Sequence, residues 1–261
     1  MILRPELPPS AGRDPQQPSA AWEAVFNTQR QPCERCLLVA QPDHAGLAGD
    51  IAAQLDPAFL GDDCPRLDNA LVRAIGLHDE GWAEFDQAGS SLLTDAAGRP
   101  LSFLDVRPPE FVRAWTGSIA RAQDVAAAGG IMVSRHFSRL ARHRLASYDD
   151  TPADQQRLRT FLEDERQCQA ALAHAVGFSD AQLERLTDLL QFCDLLSLYL
   201  CCGSREWVEL PQHFAGRALR IQRPEDCYRL APPPLRSGAS LAVAARRFPE
   251  GTRQLIAFVL A

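Results

Sequence analysis

Over residues 41–202 apolar side chains recur three, four and seven positions apart, the spacing that lines up one face of an α-helix. Pro42 suits a first helical turn, where its missing N–H is not needed, and predicts a helix through "DHAGLAGDIAAQL". A second helix is predicted over about 65–84, and further ones over 110–127, 131–144, 152–176 and 180–202. "RCLLVAQ", before the first helix, reads as a buried strand or a lead-in to it. "QAGSSLLTDAAGRPLSFLDVRPP" carries turn residues throughout and is expected to be a loop. After Gly203 the texture changes. "EWVEL", "ALRIQ", "CYRLA", "SLAVAARRF" and "QLIAFVL" are short, partly alternating and separated by proline and glycine, which are strand signals. Residues 1–20, rich in proline, are expected to form a loose arm with a short strand at 2–3. The fold class is therefore mainly α, of α+β type: one domain over 21–261, with a helical body over about 41–202 and a small antiparallel sheet from about 205–261 that the N-terminal strand can join.

Composition narrows the chemistry. All 27 basic residues are arginine, so Schiff-base, pyridoxal-phosphate and phosphate-loop lysines are excluded. A net charge of -6 argues against a nucleic-acid or anionic-membrane surface. No secretory leader is legible, and the longest apolar run, "LLQFCDLLSLYLCC", is too short for a bilayer and carries an aspartate. A cytoplasmic protein with reduced thiols is expected. Cys33 and Cys36 form a C-x-x-C, but no second pair follows at zinc-ribbon spacing, so both read as small residues near a strand. Cys201 and Cys202 are expected to pack in the core.

Four polar residues interrupt the apolar stripes. His78 follows Leu71, Ala74 and Ile75 by seven, four and three positions. His44 shares its face with Leu47, Ala48, Ile51 and Leu55, and His136 lies among Met132, Val133 and Leu140. Asp194 has Leu190 and Leu198 four residues to either side. Each alone reads as a hydrogen-bonded core residue. Together they pose a harder problem, because an unpaired buried carboxylate costs several kcal/mol. One divalent transition metal (Mn, Fe, Ni, Co or Zn) would satisfy imidazoles and carboxylates at once, and Asp79 beside His78 adds a second carboxylate.

The order His44, His78-Asp79, Asp194 on helices resembles the HD superfamily of metal-dependent phosphohydrolases. "QPDHAGLAGDIA", "AIGLHDEGWAEFD", "GRPLSFLD", "VSRHFSRL" and "CDLLSLYL", in that order, resemble a bacterial family known as domain of unknown function 3891. The resemblance implies an HD-like helical bundle with His44, His78, Asp79 and Asp194 as metal ligands. Two-metal HD enzymes supply two further histidines; here His136 is a good candidate and His143 a weak one, while His174 and His213 read as surface residues. A one-metal site with His136 beside it is the expectation.

The activity expected is hydrolysis of a phosphate ester or phosphorylated small molecule. Asp79 or His136 would take the proton, and Arg135 would pair with a phosphate oxygen. Glu80 and Asp86 read as exposed helix-end carboxylates, Trp82 as core, and Gly81 as a close backbone approach or a helix end. A di-iron oxygenase of the HD fold and a non-catalytic metal- or ligand-binding module are the alternatives. The partner expected is a small-molecule substrate, with no nucleic acid and no membrane; a homodimer stays open.

Overall fold

The computed structural model describes residues 1–6, 17–31, 34–86 and 94–261. The helices are α1 (Ala21–Gln29), α2 (Gln41–Gln54), α3 (Pro57–Leu60), α4 (Asn69–Gly76), α5 (Pro108–Val125), α6 (Ala127–Ser147), α7 (Pro152–Ala173) and α8 (Asp180–Cys202). The strands are β1 (Ile2–Pro5), β2 (Ser19–Ala20), β3 (Cys36–Val39), β4 (Val208–Phe214), β5 (Arg217–Gln222), β6 (Cys227–Ala231), β7 (Leu241–Phe248) and β8 (Arg253–Leu260). Some helices start where the sequence offers caps. Ser179 and Gln182 form a reciprocal capping box on α8, and Asp68 accepts from the Leu71 N–H at the start of α4. α8 is the axis of the bundle: Leu189, Leu190, Phe192, Cys193, Leu196, Leu200, Cys201 and Cys202 are all fully buried along it. Helices α1, α2 and α6 pack on it.

The sheet is larger than the sequence suggested. It has eight strands in the order β1-β3-β7-β8-β6-β5-β4-β2. The β2–β4 and β6–β8 pairings are parallel, so the sheet is not purely antiparallel. All five C-terminal segments expected as strands do form strands, but three more come from before α2. Alternation is hard to see in strands as short as β1 and β2, which is why composition suggested a loose arm.

Residues 1–6 do carry the short strand expected at 2–3, but they are not loose. Ile2–Pro5 pairs antiparallel with β3, and Met1, Ile2 and Leu3 are buried. The Gln29 carboxamide on α1 accepts from the Leu3 N–H and donates to its carbonyl. Arg4 reaches the carbonyl end of α8, donating to Leu200 O at 2.7 Å beside Gly203, whose φ of 68° closes the helix in the left-handed region. Deleting residues 1–6 is expected to cost on the order of 5 kcal/mol, from three buried apolar side chains at roughly 1.5–3 kcal/mol each. Denaturant unfolding measures this; an unshifted midpoint would show that β1 contributes nothing.

One helix boundary was misplaced, and it matters for the site. The helix expected over 65–84 ends at Gly76. The backbone then tightens into three-residue turns, with Leu77 N–H donating to Ala74 O and His78 N–H to Ile75 O, and continues as a 3-10 helix over Glu80–Trp82. Two glycines allow this. A Cβ on Gly49 of α2 would lie 2.9 Å from Gly76 Cα, so α2 and α4 touch backbone to backbone there. A Cβ on Gly81 would lie 1.9 Å from Ala114 O of α5, and the Gly81 N–H donates to Ser118 Oγ at 2.9 Å. Cys36 is buried in β3, whereas Cys33 lies outside the described residues, as do 7–16 of the arm and 87–93 of the expected loop. Among the described residues, no helix is long and apolar enough to cross a membrane.

Candidate metal centre

Three helices and one turn converge on a single polar point inside the bundle. His44 comes from the first turn of α2, His136 from the middle of α6 and Asp194 from α8. His78 and Asp79 come from the turn after α4, which lets adjacent residues aim at the same place. His44, His78, Asp79 and His136 are buried, and Asp194 keeps 15% of its side chain exposed, facing a cavity.

The histidine tautomers follow from their partners. The Ser197 hydroxyl donates to the Asp194 carbonyl at 2.8 Å, so its oxygen accepts from His44 Nδ1–H at 2.7 Å. His78 Nδ1 lies 2.9 Å from Ile75 O, which can only accept. Both imidazoles therefore turn Nε2 toward the carboxylates. His44 Nε2 is 3.2 Å from Asp79 Oδ2 and 3.4 Å from Asp194 Oδ1. His78 Nε2 is 3.7 Å from Asp79 Oδ2 and 3.4 Å from Asp194 Oδ1. His136 Nε2 stands 3.8 Å from Asp194 Oδ2. The rings of His44, His78 and His136 meet edge to face in series.

Two carboxylates beside bare nitrogens, away from water, require positive charge. Burial opposes charge on His78, but Asp79 and Asp194 outweigh it and raise its pKa to about 9. Burial likewise opposes charge on Asp194, and the charge of the nearby His78, with His136 and His44, overcomes it and holds the pKa down to about 2. His136 goes the other way: burial dominates, and its pKa falls to about 4.

The arrangement has the capacity to hold a divalent cation. His78 Nε2 and His136 Nδ1 are buried with no hydrogen-bond partner. The groups His44–His78–Asp79 and His78–His136–Asp194 each offer ligand atoms within 4.8 Å of one another and could hold a metal ion. Donors about 2.1 Å from one tetrahedral ion lie about 3.4 Å apart, close to the separations here. The carbonyl and hydroxyl behind the two Nδ1 atoms fix the two rings, as outer partners do for imidazoles in known metal sites.

A protein-family model described as "Protein of unknown function (DUF3891)" matches residues 28–250, most of the chain and every one of these side chains. The chain belongs to that family. No curated protein and no solved structure matches it. The family match and the buried histidine–aspartate groups agree in placing the candidate centre within the matched region.

The other residues singled out from sequence divide clearly. Arg135 is not at the centre. Its guanidinium pairs with Asp180 at 2.5 Å and Glu184 at 2.6 Å on α8, because one residue along a helix turns a side chain about 100° away from His136. Asp86 is not an exposed helix-end carboxylate: it accepts from the Gln41 N–H at 2.7 Å and caps α2 just before His44. Trp82 is core and also lines the cavity. His143 is exposed at the cavity's outer part, and His174 and His213 are exposed elsewhere. Sequence reading missed Ser197 and Gln41. Ser197 was findable as the polar residue three positions after Asp194 on the same face. Gln41 carried no comparable signal.

Proposed function

We propose that this protein is a metal-dependent hydrolase of a phosphate ester or phosphorylated small molecule, with an HD-like centre of His44, His78, Asp79 and Asp194. The observation that carries this reading is the pair of imidazoles anchored at Nδ1, which point two Nε2 atoms at two carboxylates around one buried point. A bound divalent cation would supply Lewis acidity toward the phosphoryl oxygen and lower the pKa of water at neutral pH. The protein's own groups do the rest. Asp194, open on one side to the cavity, orients what enters beside His44 and His78. His136 Nε2 faces Asp194 at 3.8 Å, which puts the imidazole beside whatever enters there as the candidate acid or base. Trp82 and Trp115 line the cavity and limit water around the reacting group.

The test is hydrolysis of 4-nitrophenyl phosphate esters by protein loaded with Mn, with and without chelator. The His136→Ala protein is expected to keep its metal and lose on the order of 100-fold in rate, the usual contribution of a positioned acid or base. The His78–His136–Asp194 group favours a second reading, in which His136 is a ligand and the centre holds two irons. Two irons per chain with oxygen consumption would carry that reading. A tightly held metal with no turnover would favour the binding module.

A further inference from the structure

The candidate centre is the floor of a cavity of about 330 Å³, large enough for a ring-bearing small molecule. Its walls are apolar, with Phe26 from α1, Trp115 from α5, Phe137 from α6 and Leu198 from α8. Its rim is apolar too. Of four large apolar side chains exposed on the described surface, two stand on this cavity: Trp22, 46% exposed, and Leu140, 36% exposed. Isolated exposed apolar residues mean little, but two that line the same pocket mark a surface that apolar ligand area can cover.

The charge pattern points the same way. Among the described lining residues the only arginine is Arg144, and it is committed. Its guanidinium donates to both carboxylate oxygens of Asp150 at 2.6 Å and lies 4.0 Å from the Tyr148 ring centroid. Asp79 and Asp194 face the cavity as carboxylates. A multiply charged phosphate would meet the charge of the cation and no free arginine. Neutral polar contacts are available instead, at Gln41 and at Gln212, whose carboxamide oxygen also has no hydrogen-bond partner. The Gln41 side chain is buried, lines the cavity, and its carboxamide oxygen has no hydrogen-bond partner. A buried unpaired amide is costly unless a ligand group supplies the missing bond.

We infer that the cavity takes a phosphoester whose non-reacting part is an apolar, ring-sized group and whose charge is confined to the reacting phosphorus, with the Gln41 carboxamide as its neutral polar contact. The inference rests on the hydrolase reading for the word phosphoester and on the cavity for the rest. It separates the substrate from nucleotides and sugar phosphates, whose polar bodies would leave these walls unmatched.

Calorimetry on Mn-loaded protein tests it without requiring turnover. Phenylphosphonate is expected to bind at least tenfold more tightly than methylphosphonate, inorganic phosphate or ADP, a difference of about 1.4 kcal/mol. Trp22→Ala and Leu140→Ala, both at the exposed rim, should lower that preference several-fold and leave inorganic phosphate binding unchanged. Gln41→Leu should weaken phenylphosphonate at unchanged metal content. Equal or tighter binding of phosphate or ADP overturns the inference, as does a ring preference indifferent to the rim variants. Tight phenylphosphonate binding by a protein that hydrolyses no phosphoester would instead sink the hydrolase reading and leave the pocket assignment standing.

Discussion

His78→Ala is expected to lose bound divalent metal by at least two orders of magnitude in affinity. The side chain belongs to both groups of donors, so no subset of the remaining ones replaces it. Removing an outer partner alone typically costs 10–100-fold, which sets the scale for Ser197→Ala, where only the support of His44 is lost. Asp194→Ala should also lose metal yet stay folded, because a buried charge leaves together with the ion. The same centre predicts a pH dependence. With no metal bound, His78 holds a proton up to about pH 9, so near pH 7 a metal would have to displace it. Affinity should rise with pH by about tenfold per unit and flatten near pH 9, with proton release in unbuffered titrations. The metal-free protein runs opposite. The His78⁺ contribution to its stability is complete below the unfolded value of about 6.5 and is lost as pH rises through about 9. The Asp194 contribution is present above the unfolded value near 3.8 and is lost as pH falls through about 2. Elemental analysis of protein purified without added metal, beside His78→Ala, checks the central claim; equal metal in both would refute it.

Gly81→Ala is expected to destabilise the protein by at least about 3 kcal/mol, beyond ordinary overpacking, because the obstacle is backbone. The new Cβ would stand 1.9 Å from Ala114 O and 2.7 Å from Ser118 N, atoms of α5 that cannot rotate away. The turn must move, and Asp79 lies two residues before it. Metal affinity should therefore fall with stability, although Gly81 donates nothing to the ion. Gly46→Ala is the control. Gly46 is exposed in the same helix as His44, and a Cβ there meets nothing within 4 Å. It should gain roughly 0.5–1 kcal/mol from helix propensity. Thermal melts of both variants decide the matter: similar melting temperatures would mean that the turn yields.

Much of the body was legible because long amphipathic helices repeat their signal. α5, α6 and α8 fall within a few residues of expectation, and α8 lies where its apolar run and its capping residues placed it. α1 was overlooked although Ala21, Ala24, Val25 and Thr28 keep helical spacing, because proline-rich composition upstream set the expectation for the segment. The candidate centre was legible for a different reason. A histidine or aspartate on an apolar stripe is a local anomaly, and His44, His78, His136 and Asp194 each stood out that way before any was known to meet another.

The sequence by itself determined which residues must face inward, since helical and strand periodicity translate directly into buried faces. It also removed lysine chemistry and placed the imidazoles and carboxylates in order along the chain. Only the tertiary structure decided where those faces meet. Arg135 and His136 are neighbours in sequence, yet one pairs with α8 at the surface and the other enters the centre, because a helix turns successive side chains apart. Asp86 looked like a solvated helix end until the fold brought α2 to it. The N-terminal strand, too short to show a period, is held by partners 26 to 197 residues away, Gln29 on α1 and the carbonyl end of α8. Contacts of that range leave no trace in local spacing; they exist because folding brings distant segments to one place.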